Sequence, residues 1–156
     1  MKKLFSPEPY RSPHRETRDD VPSAGFRENE HTADWELSVW APDLPGLLEQ
    51  AARGMYALCS ISLDGSAARR EHALDLTAPD SETLLVSFLE ELLYLAEQER
   101  IAFDTFKITV AEGRLKAELS GAPIRTQGKE IKAVTYHNLA VRQGPHGLEA
   151  SIVFDV

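Results

Sequence analysis

Three short segments of the sequence contain the residue types that can carry chemistry. Residues 31–34 place a histidine and an aspartate before an alternating stretch, and residues 132–137 place a lysine and a histidine within another. The third segment is the end of the sequence, where Asp155 precedes Val156. Carboxylates ligate hard cations, and imidazoles act as metal ligands or general bases. The chemistry to consider is therefore divalent metal binding, with or without metal-assisted hydrolysis.

The sharpest candidate site lies at the end of the sequence. If the last strand is paired to its end, the terminal carboxylate of Val156 is held beside that of Asp155, and two fixed anions repel each other. A divalent cation would relieve this repulsion, and Asp34 would supply a third oxygen if its strand neighbours the last one. Oxygen ligands alone favour Ca²⁺, Mg²⁺ or Mn²⁺ over zinc. The alternative, which spacing alone favours, is that Asp155 is a solvated carboxylate.

The other reactive residues have simpler structural interpretations. His31 and His137 are the motif histidines that could act as a general base, but a strand histidine beside apolar residues is more often structural. Cys59 lies on the apolar face of a predicted helix, where cysteine acts as a small buried hydrophobe. As the single cysteine it excludes an internal disulfide, which favours a cytosolic setting.

Composition and missing motifs exclude several classes of protein. The net charge is −8, with 17 basic and 25 acidic residues, which argues against sequence-independent nucleic-acid binding. No run approaches the ~20 apolar residues of a membrane span, and the first residues lack the apolar segment of a secretion signal. Nucleotide-binding glycine loops, the hydrolase nucleophile elbow and the zincin motif are absent. We expect one cytoplasmic domain that binds neither membrane nor nucleic acid directly.

Two amphipathic helices and several alternating segments must position the candidate residues. Helical periodicity begins at Pro45 and ends near Cys59, and a second helix follows Asp80 as its N-cap and ends near residue 98. Strand-like alternation covers residues 34–40, 73–77, 106–110, 115–119, 134–141 and 148–154. This order predicts an α+β domain, with two helices on a mostly antiparallel, mixed sheet of about six strands.

The domain is predicted to follow an N-terminal tail. Residues 1–30 contain four of the nine prolines, six basic and six acidic residues, and little apolar periodicity, as in a disordered tail. The predicted domain covers residues 31–156, with 11 basic and 19 acidic residues. The whole net charge therefore belongs to the domain.

Taken together, the motifs resemble the archease family. The resemblance rests on residues 31–34, 51–52, 84–95, 132–137 and 153–156, in this order and spacing. It covers residues 31–156 and leaves the tail outside. Trp35 and Glu36 stand where family members more often have a smaller and less acidic pair.

The resemblance implies an accessory protein rather than an enzyme. Archease activates RtcB-type RNA ligase in tRNA splicing and RNA repair, where it promotes guanylylation and multiple turnover. By position, the resemblance implies a divalent metal site at Asp34, Asp155 and Val156, with Ca²⁺ favoured and Mg²⁺ or Mn²⁺ as alternatives. Lys132 occupies a position associated with ligase activation, and His31 and His137 are further candidates for that role.

Two other functions fit the same residues, and the sequence leaves the oligomeric state open. The first is a general chaperone-like adaptor for RNA-modifying enzymes such as tRNA methyltransferases. The second is a metal-dependent phosphoester hydrolase, which would need one of the motif histidines as a general base.

Overall fold

Two antiparallel sheets pack on two helices in this chain. A computed structural model describes residues 21–29 and 34–156. Its elements are β1 (Gly25–Asn29), β2 (Trp35–Ala41), α1 (Leu44–Leu58), β3 (Ser62–Leu63), β4 (Arg70–Thr77), α2 (Ser81–Gln98), β5 (Ile101–Ala111), β6 (Arg114–Thr126), β7 (Ala133–Val134), β8 (Arg142–Gly144) and β9 (Gly147–Asp155). No helix in this described part is long and apolar enough to cross a membrane.

Both helices begin where an aspartate side chain caps the backbone. Asp43 Oδ1 accepts a hydrogen bond from the N–H of Gly46 at 2.8 Å, and Asp80 Oδ1 accepts one from Thr83 at 2.7 Å. Such caps satisfy first-turn N–H groups that have no partner within the helix. The hydrogen bonds from Thr83 also lower the pKa of Asp80. The predicted starts of both helices are confirmed.

The first sheet has β9 at its centre. Its order is β1-β2-β9-β7. Strand β8 also pairs directly with β9, at the beginning of that strand. The second sheet is built on β6, which pairs with β3, β4 and β5. Every one of these strand pairs is antiparallel.

The core lies between the helices and the inner faces of both sheets. Alternate residues of β2 and β9 are buried on one face, because successive strand side chains point to opposite sides of a sheet. Helix α1 packs against β2 and β5, and α2 packs against α1, β4, β5 and β7. The largest fully buried side chains are Phe88, Phe154, Leu37, Leu47, Leu48, Met55, Leu84, Leu85, Leu89, Leu92, Leu115 and Leu119.

The α+β prediction is confirmed, but the sheet differs from the predicted one. The described residues form nine strands in two wholly antiparallel sheets, not about six strands in one mixed sheet. One of the additional strands, β3, has only two residues. Segments this short have no periodicity that a sequence pattern could detect.

The predicted boundary after residue 30 is wrong for β1. Residues Gly25–Asn29 pair with β2 along its length, although they fall within the predicted tail. Phe26 packs against the core, and the indole N–H of Trp40 donates a 2.8 Å hydrogen bond to the carbonyl of Pro22. These contacts attach the segment to the sheet. Residues 1–20 lie outside the described residues.

The strand predicted over residues 134–141 is interrupted. Pairing with β9 stops after Val134 in β7 and resumes at Arg142 in β8. Between them the chain turns, and Asn138 adopts a positive φ of 52°, a conformation that asparagine tolerates better than most residues. The apolar residues between β7 and β8 therefore belong to a loop that packs on the sheet.

We predict that Gly121→Ala destabilises the fold by about 2 kcal/mol, the scale of overpacking in a filled site. Gly121 lies in β6 opposite Phe103 of β5, and an added Cβ would lie 1.9 Å from the backbone oxygen of Ala102. Chemical denaturation gives the difference in free energy of unfolding. Gly65→Ala is the control, since nothing lies within 4 Å of its added Cβ. Equal stabilities for the two variants would contradict the prediction.

Candidate metal centre

Strand pairing places the two predicted carboxylates at the same end of the first sheet. Trp35 of β2 is the register partner of Phe154 of β9. The antiparallel register, continued by one residue, sets Asp34 opposite Asp155. Residues directly opposite each other in such a pair have Cβ atoms about 4.5–5.5 Å apart. The condition that the sequence left open, that the strand of Asp34 neighbours the last strand, is met.

These carboxylates lie on the outer face of the sheet. The side chain of Phe154 points into the core, so the side chains of its neighbours in sequence point the other way. Asp34 and Asp155 are both exposed. Glu36 follows on the same face, where it is the register partner of Val153. The outer corner of the sheet is thus acidic.

The other side of β9 is held by the segment that carries Lys132. The N–H of Lys132 donates a 2.8 Å hydrogen bond to the carbonyl of Asp155, and Ala133 is the register partner of Asp155. Val156, the residue after Asp155, is 40% exposed. Backbone pairing with β7 therefore holds Asp155 from one side and brings the backbone of Lys132 to the same corner.

Residues 128–132, which we call the connecting segment, are anchored to the end of α1. The carbonyl of Cys59 accepts hydrogen bonds from the N–H groups of Gly128 at 2.9 Å and Lys129 at 3.1 Å. Burial raises the pKa of the Cys59 thiol, and the backbone of Ile131 lowers that pKa by less. Helix α1 therefore positions the segment that leads to Lys132.

Lys132 also borders a cavity on the helix side of this corner. The cavity has a volume of about 270 Å³ and is lined by Tyr56, Cys59, Glu97 and Glu130 among others. Tyr56 is buried, and burial raises its pKa. The cavity is distinct from the outer face on which the two aspartates lie.

The motif histidines are not shown to join the carboxylates. His137 is exposed in the turn after β7, next to the side chain of Asn138. Among the described residues, no group of three or more His, Cys, Asp or Glu side chains could hold a metal ion, so His137 does not form such a group with Asp34 and Asp155. His31 lies outside the described residues.

The donor set at the corner fits a hard cation that keeps part of its water shell. Asp34 and Asp155 provide only oxygen, and both are exposed, so water molecules can complete the coordination. No nitrogen or sulfur ligand accompanies them in the described residues, as zinc would prefer. A terminal carboxylate on Val156 would add a third source of oxygen.

Two features of the corner were not found from the sequence. The Lys129 ammonium lies over the ring of Trp35, with Nζ 4.6 Å from the ring centroid. Cys59 anchors the connecting segment through its backbone carbonyl. The separations in sequence, from 35 to 129 and from 59 to 128, leave no local signal for either contact.

Together the fold and this carboxylate corner define a small α+β protein with a candidate site for a hard metal ion. Residues 26–156 match the archease protein family (MTH1598/TM1083). The chain belongs to this family.

Relatives of known name and structure agree with this assignment. The chain is 34% identical over 149 residues to the protein archease of Methanosarcina acetivorans, covering 87% of this chain and 100% of the relative. A Thermotoga maritima structure, described as an archease and possible chaperone, is 26% identical with a TM-score of 0.59, covering 83% of this chain and 96% of the other. The solution structure of Methanobacterium thermoautotrophicum protein 1598 has a TM-score of 0.66 at 24% identity, covering 85% and 99%, and supports the fold.

We predict that Cys59 is unreactive in the native protein. The thiol is 1% exposed, and burial raises its pKa to about 11, so little thiolate forms at pH 8. Iodoacetamide should alkylate the native protein at least about 100-fold more slowly than the unfolded chain, since two pKa units change the thiolate fraction 100-fold. The rate in guanidinium is the control. Similar rates in both conditions would show that the thiol is accessible.

Proposed function

We propose that this chain is a protein cofactor of an RtcB-type RNA ligase, acting in the cytoplasm in tRNA splicing and RNA repair. In this proposal it promotes guanylylation and multiple turnover of the ligase and is not itself an enzyme. The observation that supports the proposal most is the pairing of Trp35 with Phe154, which brings the neighbouring Asp34 and Asp155 to the same end of the first sheet. Membership of the archease family gives the class of partner.

The proposed metal ligands are Asp34, Asp155 and the terminal carboxylate of Val156. Two anions fixed on neighbouring strands repel each other, and a divalent cation between them removes this cost. Family resemblance favours Ca²⁺, and the oxygen donors also suit Mg²⁺ or Mn²⁺. Pairing of Asp155 with Ala133, and of the preceding Phe154 with Trp35, holds the backbone of Asp155 in place before a metal binds.

In this proposal, some residues of the chain bind the metal ion and others contact the partner. When bound, a divalent ion supplies positive charge that can neutralise nucleotide phosphates. Asp34 and Asp155 hold that ion on an exposed corner, where a partner's active site can reach it. Lys132 is fixed to the carbonyl of Asp155 by its backbone N–H, and its side chain borders the cavity on the helix side of the corner. His137 contributes only to the wider contact surface, because it lies in an exposed turn.

The net charge of −8 suits an activator that works through a protein partner. An acidic surface repels RNA phosphates and attracts the basic surface of an RNA-binding enzyme. The chain would therefore act on RNA joining without binding RNA itself.

The ligase proposal predicts that Asp155→Asn and Asp34→Asn abolish activation. Each change removes a negative ligand with little change in shape. We expect the multiple-turnover rate of RNA ligation with either variant to fall at least about tenfold towards the rate of ligase alone, because loss of a charged ligand costs more than ~1.4 kcal/mol. A chain extended by one residue after Val156 should behave similarly, since its carboxylate is displaced.

Glu118→Gln is the matched control for this assay. Glu118 is an exposed carboxylate on β6 in the second sheet, so its loss changes the net charge equally without touching the corner. Full activation by both aspartate variants would refute the metal-site account. Failure of the wild-type chain to activate any RtcB-type ligase would refute the choice of partner.

Metal binding itself gives a prediction that does not depend on the ligase. Isothermal titration of the isolated chain with CaCl₂ or MnCl₂ should show one site, and Asp155→Asn should weaken it at least about tenfold. Glu118→Gln should bind like the wild type. If the wild type and Asp155→Asn bind the metal ion with equal affinity, the ion binds elsewhere on the protein.

A second candidate function is a chaperone-like adaptor for RNA-modifying enzymes such as tRNA methyltransferases. It is favoured by the Thermotoga maritima relative, which is described as a possible chaperone. Affinity capture from native cells separates the two functions, because an RNA ligase should dominate the captured proteins if the ligase proposal is correct. The hydrolase function has less support, since His137 is not grouped with the carboxylates.

A further inference from the structure

The cavity on the helix side of the corner takes no part in the proposed metal site. Its volume is about 270 Å³, and its apolar lining residues, among them Leu93 and Ala96, are buried or half-buried. Its charged lining residues are exposed, among them Glu97, Glu130 and Lys132. The cavity thus has an apolar floor and a charged rim. Protein–protein interfaces have the same arrangement, with an apolar centre and a polar edge.

The size of this cavity favours a side chain over a small molecule as its occupant. Sites for small molecules commonly have volumes of about 300–1,000 Å³. The volume of about 270 Å³ lies below that range. Protein interfaces, in contrast, are anchored by a few large side chains that fill pockets on the partner. The cavity therefore fits one apolar side chain of another protein.

The end of α2 beside the cavity carries negative charge that does not stabilise the helix. Glu97 lies in the last turn, Glu99 is the C-cap residue, and no basic residue occupies that turn. Carboxylates are unfavourable there, because the C-terminal end of a helix already carries partial negative charge. Within residues 21–29 and 34–156, neither glutamate makes an ion pair. The next residue, Arg100, donates its hydrogen bond to Gln127 Oε1 at 3.1 Å.

An exposed tyrosine extends this acidic surface along α2. Tyr94 is 59% exposed. Glu90 and Glu97 are four and three residues away from it, so they lie on the same face of the helix. Tyrosine is common in interface hot spots, and its ring attracts lysine and arginine. The surface of Glu90, Tyr94, Glu97 and Glu99, which we call the acidic helix end, is complementary to a basic partner.

A basic enzyme fits this surface better than a second copy of the chain does. Two-fold dimers use the same patch on both subunits, so two acidic helix ends would face each other and repel. An RNA-binding enzyme instead presents a basic surface. The cavity also lies close to the carboxylate corner, because Lys132 borders the cavity and donates its N–H to the carbonyl of Asp155.

We propose that the cavity and the acidic helix end form a docking surface for the partner ligase. One apolar side chain of the ligase fills the cavity, and lysine or arginine residues beside it pair with Glu97 and Glu99. This inference rests on the proposed function and names the surface that holds the partner. Docking at this surface brings the carboxylate corner next to the ligase, since Lys132 belongs to both.

Two variants test the proposal through binding of the chain to a purified RtcB-type ligase, measured by biolayer interferometry. Ala96→Leu adds apolar atoms to the cavity and should raise the dissociation constant at least about tenfold, mainly through faster dissociation. Glu97→Lys reverses a charge at the rim and should weaken binding about tenfold at low salt, mainly through slower association. This second effect should shrink as salt is added, because salt screens exposed charges.

Glu118→Lys is the matched control for the charge reversal. Glu118 is exposed on β6 of the second sheet, so this variant should bind the ligase like the wild type. Titration with CaCl₂ should give the wild-type affinity within about twofold for all three variants, because none of them changes a proposed ligand. Thermal denaturation checks that each is folded. Glu97 is exposed, so its variant keeps the test valid if Ala96→Leu is unstable.

The outcomes separate this inference from the proposed function. Wild-type affinity for the ligase in either folded variant, or an equal loss in Glu118→Lys, would overturn the docking surface while the ligase proposal stands. Sedimentation of the chain alone is the second measurement. A dimer that Ala96→Leu dissociates would assign the cavity to a second copy and overturn the inference. Absence of binding between the wild-type chain and the ligase would overturn both.

Discussion

The pairing of β9 on both of its edges is the constraint on which the rest of the first sheet and its corner depend. Ile152 and Phe154 are fully buried, and strand side chains alternate, so Asp155 must point to the outer face. A shift of one residue would expose Phe154 and bury an aspartate, which costs several kcal/mol. Burial of the core therefore fixes the register, and the register fixes the position of the carboxylates.

Helix α1 extends this constraint to the connecting segment. A Cβ on Gly54 would lie 2.6 Å from Leu37 Cδ2, so the helix approaches β2 closely at this point. That approach sets where the helix ends, and its C-cap residue, Cys59, holds Gly128 and Lys129 through its carbonyl. The packing of a helix on a sheet therefore contributes to the position of the connecting segment at this corner.

The sequence predicted the elements whose stability is local and missed those that depend on distant contacts. Both helices have a capping aspartate and a regular apolar face, and the hairpin of β5 and β6 turns at Glu112 and Gly113, both with positive φ. Strand β1 has only one large apolar residue, Phe26, and forms because β2 offers an edge. Its existence depends on a partner strand, which periodicity cannot show.

The candidate site was predictable only in part, for the same reason. Asp34 and Asp155 were identified by residue type and by resemblance, but their proximity depends on which strands are neighbours. The contact of Lys129 with Trp35 depends on the path of a loop, so no pattern in the sequence indicates it. Residues that could bind a metal can thus be identified before the fold is known. Which of them lie next to each other cannot.

The distribution of ion pairs distinguishes the carboxylate corner from the other acidic surface of the protein. On the second sheet, Arg114 pairs with Asp75 and Arg69 pairs with Asp104, and these guanidinium groups lower the pKa of both aspartates. Those charges are already neutralised by the chain itself. Asp34 and Asp155 make no such pair within the described residues. Because no arginine or lysine in residues 21–29 and 34–156 neutralises these two carboxylates, the proposed metal site uses this corner and not the second sheet, where arginines already balance the aspartates.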